Sequence, residues 1–322
     1  MKAALVSRYG PPSVISVGET PTPRPAKNEV LIRVHATTVS RTDCGELTPY
    51  PALLARLIYG LGRPRRSIFG VDFAGVVEGA GPSVTAFKLG DRVFGICPIR
   101  KNGAHAEYVC IPQDGPIARL PDQVAFENGV VCEGAYYADS CLNRFNLKPG
   151  RKILIYGASG AIGSSALQLA KLSGAEVTAV VATQHIALAQ SLGADRVVDY
   201  LKEDFSKLDE RFDCVLDAVG KSSFFQCRKV MTPEAMFMAA DMGSWGQNIF
   251  LLLWSAIVRN GRVAIPVARR GRAPAFVAFM ADLLERGQFR AVIDRSYPLA
   301  SIAEAYGYVL TGQKTGIVVV TP

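Results

Sequence analysis

The chain has 322 residues, 49% of them hydrophobic, which is enough for two domains of ordinary size and excludes a disordered polymer. Its net charge of +8 comes from scattered basic residues plus two clusters, Arg63/Arg65/Arg66 and Arg269/Arg270/Arg272, read as solvated loops; without interleaved aromatics, no nucleic-acid partner is expected. Seven cysteines form no Cys-x-x-Cys pair, no apolar core follows the N-terminal lysine, and the longest apolar run, 249–258, is too short for a bilayer, so a reduced, cytoplasmic protein is expected.

In chain order, residues 1–125 read as β-rich. Residues 30–34 alternate, 73–78 follow a Gly-Val-Asp turn, and 92–96 follow Gly90-Asp91. Prolines crowd 11–25 and mark turns and edge segments. From 126 the pattern becomes α/β, with strands expected at 152–156, 175–182, 196–199, 213–219, 236–240 and 262–268 and helices between most of them. Six such strands predict a doubly wound parallel sheet. The tail from 293 ends in Gly316-Ile-Val-Val-Val320, a strand expected to pair with the N-terminal domain.

The densest chemical signal is the turn after the strand 152–156. Gly157, Gly160 and Gly163 stand where that strand must bend tightly into a helix carrying Leu167, Leu169, Ala170 and Leu172, with Gly174 as its stop. Missing side chains there let backbone N–H groups approach a pyrophosphate, so Gly157, Ala158, Ser159, Gly160, Ala161, Ile162 and Gly163 are read as binding a dinucleotide. A merely structural turn is the competing reading. An NAD site usually has an acid about 20 residues on, at the end of the second strand. Here the stretch is Ala182-Thr183-Gln184-His185, without a carboxylate and with a donor in Thr183, so NADPH is expected over NADH, although no arginine stands at this turn.

Several blocks then run in a recognisable order: Phe69-Gly-Val-Asp-Phe-Ala-Gly, Phe87-Lys-Leu-Gly-Asp-Arg-Val-Phe-Gly95, Ala104-His-Ala-Glu-Tyr-Val109, Leu147-Lys-Pro-Gly150, Leu192-Gly-Ala-Asp195, Asp199-Tyr200 and Phe212-Asp-Cys-Val-Leu-Asp-Ala-Val-Gly220. Together with the glycine turn they resemble the medium-chain dehydrogenase/reductase superfamily, in its zinc-independent quinone oxidoreductase branch. The resemblance implies a GroES-like β-barrel domain over 1–125, completed by 293–322, and a Rossmann domain over 126–292. It also implies cofactor contacts at Tyr200, Val219, Asp241 and Lys314, and a homodimer. A solvated turn lysine is the plainer reading of Lys314.

In the zinc-dependent branch a cysteine and a Gly-His-Glu segment bind the catalytic metal. The corresponding places here read Ser40-Arg41-Thr42-Asp43 and Gly70-Val71-Asp72, and no four-cysteine lobe lies between Arg92 and Glu107. Valine cannot ligate and a hydroxyl is a poor substitute for thiolate, so no metal is expected. Hydride chemistry then needs only polar groups beside the acceptor's carbonyl. Ser40 and Asp43 fall on positions that the resemblance marks as active-site, Tyr50 lies near one that often carries a tyrosine, and Tyr136 lies where relatives place a small polar residue. Tyr59 and Tyr137 are further possibilities, each with a packing reading, and Cys132 reads as a buried small hydrophobe.

Two apolar segments, 51–59 and 245–258, could roof a pocket for an apolar acceptor, form a dimer interface, touch an anionic membrane peripherally, or pack as ordinary core. The function expected is zinc-free, NADPH-dependent hydride transfer to a small apolar quinone or α,β-unsaturated carbonyl. The alternatives are alkenal or enoyl reduction specifically, or an NADPH-binding sensor or tether with little turnover. Alcohol oxidation is disfavoured, because a neutral alcohol needs a base or a metal.

Overall fold

The computed structural model describes residues 1–49, 56–57, 59–98, 101, 103–240, 263–264 and 270–322. The chain divides into two compact units, Met1–Glu133 with Arg270–Pro322, and Gly134–Arg269.

The first unit is built mainly on antiparallel strands, with one parallel pair where β14 meets β15. A small sheet pairs β1 (Lys2–Val6) with β2 (Ile15–Glu19). The larger sheet runs β14 (Ile293–Pro298), β15 (Ile317–Thr321), β3 (Glu29–Val39), β4 (Asp72–Ala80), β5 (Arg92–Ile96) and β7 (Ile117–Arg119), and β6 (Tyr108–Pro112) also pairs with β3. β3 is long enough to serve two neighbours along one edge: Glu29 to Arg33 pair with β6, while Thr37 to Val39 pair with β15. Irregular register between Val34 and Ala36 against β4 separates the two stretches, as a bulge that bends a strand does. The sequence alternates where one face meets solvent, with Val30, Ile32 and Val34 buried and Arg33 and His35 exposed; from Ala36 to Val39 both faces are covered. The expected tail strand is therefore present and paired. A helix α1 (Arg41–Leu47) follows β3, and α8 (Ile302–Leu310) packs on α1 and β15.

The second unit is a six-stranded parallel sheet: β8 (Lys152–Tyr156), β9 (Glu176–Val181), β10 (Arg196–Asp199), β11 (Phe212–Asp217), β12 (Met231–Ala239) and β13 (Val263–Ala264), arranged β10-β9-β8-β11-β12-β13. This is the doubly wound order with its switch point beside β8. Ile153, Leu154 and Ile155 are fully buried, which is why β8 reads as an unbroken apolar run. Its helices include α3 (Cys132–Phe145), which begins in the first unit, α4 (Ala161–Leu172), α5 (Ile186–Ser191) and α6 (Phe224–Cys227). The architecture is thus a GroES-like domain plus a Rossmann domain.

The divides fall later at the first crossing and earlier at the second than 125/126 and 292/293. A short helix α2 (Phe126–Gly129) belongs to the first unit: the Phe126 ring stacks on His35 with centroids 4.4 Å apart, and the Arg92 guanidinium lies 4.6 Å over its other side. Helix α7 (Ala273–Glu285) packs on β5 and β7.

Candidate functional site

The β8–α4 turn separates two kinds of glycine. Gly157 has φ +77°, and a Cβ there would lie 2.6 Å from a Val219 methyl; a Cβ on Gly163 would lie 2.2 Å from the Gly157 carbonyl oxygen. Both are demanded by the protein's own packing. Gly160 is different. Its φ of −78° suits any residue, and a Cβ would meet nothing nearer than 3.6 Å. Gly160 is also the N-cap of α4, and no side chain caps that helix. Room for a side chain, none present, and an uncapped helix N-terminus together fit the pyrophosphate of a dinucleotide.

The loop facing this turn is held from below. Buried Asp217, at the end of β11, accepts from the N–H groups of Val219 (3.0 Å), Gly220 (2.8 Å) and Ser222 (2.8 Å) and from the Ser222 hydroxyl (2.8 Å). Burial raises its pKa against these bonds. Val219 is thereby fixed against Gly157. At the neighbouring strand end, the Thr183 hydroxyl donates to Asp199 Oδ2 at 2.6 Å, and the Leu201 N–H donates to Oδ1 at 3.1 Å. Lys202 Nζ stands 3.7 Å from the same carboxylate, and the Thr183 bond leads the interactions that lower its pKa. The donor expected at Thr183 is therefore spent. A carboxylate absent from 182–185 arrives instead from β10, because parallel pairing sets Asp199 beside Val181. Tyr200 is exposed, its ring 6.1 Å from that of Tyr156.

In the first unit, Ser40 and Asp43 form the capping box of α1. Ser40 N and Oγ both donate to Asp43 Oδ2 (2.9 and 2.7 Å), Asp43 N donates back to Ser40 Oγ (3.2 Å), and Gly70 N donates to Asp43 Oδ1 (3.0 Å). Their hydrogen-bonding capacity is largely committed to fixing the β3–α1 corner. Beside them lies Glu133, in the first turn of α3, whose N–H donates to Asp72 Oδ1 at 2.8 Å. Burial and the Asp43 charge push the Glu133 carboxyl up to about 7, while the Thr42 and Ser40 hydroxyls and the Lys314 ammonium oppose the rise. Asp72 is fully buried, and burial followed by the Glu133 charge raises it well above the usual carboxylate range. Lys314 is half-buried rather than a solvated turn lysine: its Nζ donates to the Gly316 carbonyl, burial lowers its pKa, and Glu133 is the leading charge that counters this.

Arg66 departs from its expected solvated reading, whereas Cys132 meets its expected burial. Arg66 is buried, not solvated, with Nη2 2.7 Å from Glu46 Oε2. Cys132 is buried, and its thiol is raised well above its ordinary range by burial. Tyr136 is buried on α3. Tyr50, Asp241, the segment 245–258 and most of 51–59 lie outside the described residues. Among the described residues there is no group of three or more His, Cys, Asp or Glu side chains placed to hold a metal ion, and no helix long and apolar enough to cross a membrane. The sequence reading missed Glu133, Asp72, Asp199 and Asp217 as site groups. For Glu133 a signal existed: a carboxylate set between Val130-Val131-Cys132 and Gly134-Ala135, with no polar face to belong to.

Comparison with known proteins bears on the same two units. Residues 26–122 match the alcohol dehydrogenase GroES-like domain, and 192–320 match the zinc-binding dehydrogenase family. The chain is 27% identical to the quinone-oxidoreductase homolog, chloroplastic, of Spinacia oleracea, over 94% of this chain and 93% of that protein. It is also 27% identical to the NADPH-dependent alkenal/one oxidoreductase, chloroplastic, of Arabidopsis thaliana, over 100% of this chain and 80% of that one. The solved quinone oxidoreductase from Coxiella burnetii superposes with a TM-score of 0.87 at 26% identity, covering 100% of this chain and 99% of that one. With both domain models matched in order and the fold shared end to end, the chain belongs to the medium-chain dehydrogenase/reductase superfamily, a family of oxidoreductases.

Proposed function

We propose that the protein is a metal-free, NADPH-dependent reductase acting on a quinone or an α,β-unsaturated carbonyl. The observation that carries this reading is Gly160, a glycine that its own fold does not require, at an uncapped helix N-terminus. The bound nicotinamide supplies the hydride. The chain's part is to hold the pyrophosphate at the α4 N-terminus, with Val219 and the Asp217-braced loop shaping the turn. NADPH is supported by the absence of an acid in 182–185 and by the name of the Arabidopsis relative. Asp199 works against it. A metal-free site is supported by Val71, which has no ligand atom, and by Ser40, whose hydroxyl proton is bound to Asp43.

The test is consumption of NADPH and NADH by purified, chelator-treated protein against matched panels of quinones and enones. Turnover with NADPH, favouring one panel and indifferent to chelation, is expected. Activity lost on chelation and restored by zinc would overturn the metal-free part. Cofactor binding without turnover of any acceptor would overturn the reductase and favour a sensor or tether.

A further inference from the structure

Residues 47–71 contain no Asp or Glu, yet hold Arg56, Arg63, Arg65 and Arg66. Around the described residues 56–57 and 59–66 the chain forms a tight loop of the first unit, held from two sides. The Tyr9 hydroxyl donates to the Gly60 carbonyl at 2.7 Å, and the Arg56 guanidinium lies 5.2 Å over the Tyr9 ring. The Gly60 N–H donates to the Arg56 carbonyl and the Arg65 N–H to the Tyr59 carbonyl, both at 2.8 Å, while Arg65 Nη2 donates to the Leu57 carbonyl at 3.2 Å. Gly60 has φ +129°, and a Cβ there would lie 2.1 Å from the Arg63 carbonyl oxygen, so the chain doubles back and leaves Leu61 and Gly62 at its tip. On the inner side Pro64 is buried, and buried Arg66 donates from Nε to Glu46 Oε2 at 2.8 Å. The outer side is apolar and cationic at once. Leu57 and Leu61 are 55% and 66% exposed, and Arg56, Arg63 and Arg65 are exposed in the same loop. One bare leucine is ordinary on a surface; two this close, on a loop so firmly tied and among three cations, are not. Glu46, the acid this loop touches, is buried and already paired with Arg66, so it offsets none of the outer charge.

We propose that this loop docks the protein on an anionic lipid bilayer, with Leu57 and Leu61 entering the boundary of the acyl chains and Arg56, Arg63 and Arg65 at the headgroups. The fit is one of charge and polarity together. Lipid phosphates and carboxylates answer the guanidinium forks, whose aliphatic stems follow the leucines into the interface. A nucleic acid fits less well, because base stacking needs an open aromatic face and that of Tyr9 is covered by Arg56. An acidic peptide would answer the arginines and leave the bare leucines without a purpose. The docking holds whatever the protein reduces.

Co-sedimentation of the full chain with large vesicles tests this. Binding to phosphatidylserine-rich vesicles is expected at about 0.05 M salt, with none to pure phosphatidylcholine, and it should weaken several-fold at about 0.3 M. Arg63→Gln should lower the partition coefficient about fivefold and Arg63→Glu about 25-fold. Leu61→Ser, which leaves the net charge unchanged, should lower it about tenfold. Both side chains are exposed, so thermal midpoints should stay parental; if Leu61→Ser does not fold, Leu61→Ala and Arg63→Gln decide in the same way. Parental partitioning of Leu61→Ser would reveal only the attraction of a chain of net charge +8 to any anionic surface, and would overturn docking through this loop. Failure to sediment with anionic vesicles would overturn it too, and binding of polyglutamate or single-stranded RNA in their place would identify an acidic macromolecule as the partner instead.

Discussion

Gly160 carries a prediction that few turn glycines allow. Because a Cβ there meets nothing of the protein within 3.6 Å, Gly160→Val should fold with an unchanged thermal midpoint yet lose dinucleotide binding, read by calorimetric titration with NADPH. Unchanged affinity would remove the site. The same substitution at Gly163 could not make this distinction, since the Gly157 carbonyl lies in the way. At Asp199 the carboxylate held by Thr183 disfavours a 2′-phosphate, so Asp199→Asn should raise NADPH affinity relative to NADH by about tenfold, the scale of one charge interaction partly screened by solvent. His105 gives a pH prediction. Its Nε2 donates to the Thr38 carbonyl (2.8 Å), which leaves Nδ1 to accept from Tyr306 (3.3 Å), and burial lowers its pKa. Above about 6.5 both folded and unfolded states hold it neutral. As pH falls below that value the unfolded chain takes a proton that the fold refuses, so stability drops. Urea denaturation from pH 8 to 5 should show the loss, and His105→Gln should flatten it. Of these residues only the glycines were legible in the sequence, because their spacing is local. Asp199 reaches Thr183 from the next strand, and Glu133 reaches Ser40 from another element, relations that spacing along the chain does not express.

Among the elements, β15 joins residues far apart in the chain. Its Val318, Val319 and Val320 are fully buried and pair with Val39, Thr38 and Thr37. Val319→Asp would bury a carboxylate with no partner, at a cost of about 3 kcal/mol or more, seen as a lower urea midpoint; an unshifted midpoint would show the strand to be dispensable. The run 316–320 announced this strand from composition alone, and the six parallel strands were equally legible as short apolar segments. Which sheet receives a helix was not. Helices α2 and α7 have apolar faces that would suit either unit, and only the Phe126–His35 stack and the packing of α7 on β5 and β7 assign them. Arg66 was misplaced for a similar reason: its basic neighbours in sequence gave no sign of Glu46.

For the whole molecule, a net charge of +8 favours anionic ligands at long range. NADPH carries more negative charge than NADH, so its affinity should fall more steeply with salt, by several-fold between roughly 0.05 and 0.3 M, as binding titrations across that range would measure. Equal slopes would confine the electrostatics to the turn. The interrupted first unit also bears on how the protein is made. Residues 37–39 of β3 leave the ribosome long before the strand that covers them, whereas the second unit is one uninterrupted stretch of chain. At translation rates of about 5–20 residues per second, a bare strand edge persists on the nascent chain for roughly 15–60 s. The second unit, one continuous stretch, can form during that interval, but the first cannot complete its sheet until the tail emerges, so residues 37–39 of β3 are the edge most exposed to wrong pairing during synthesis.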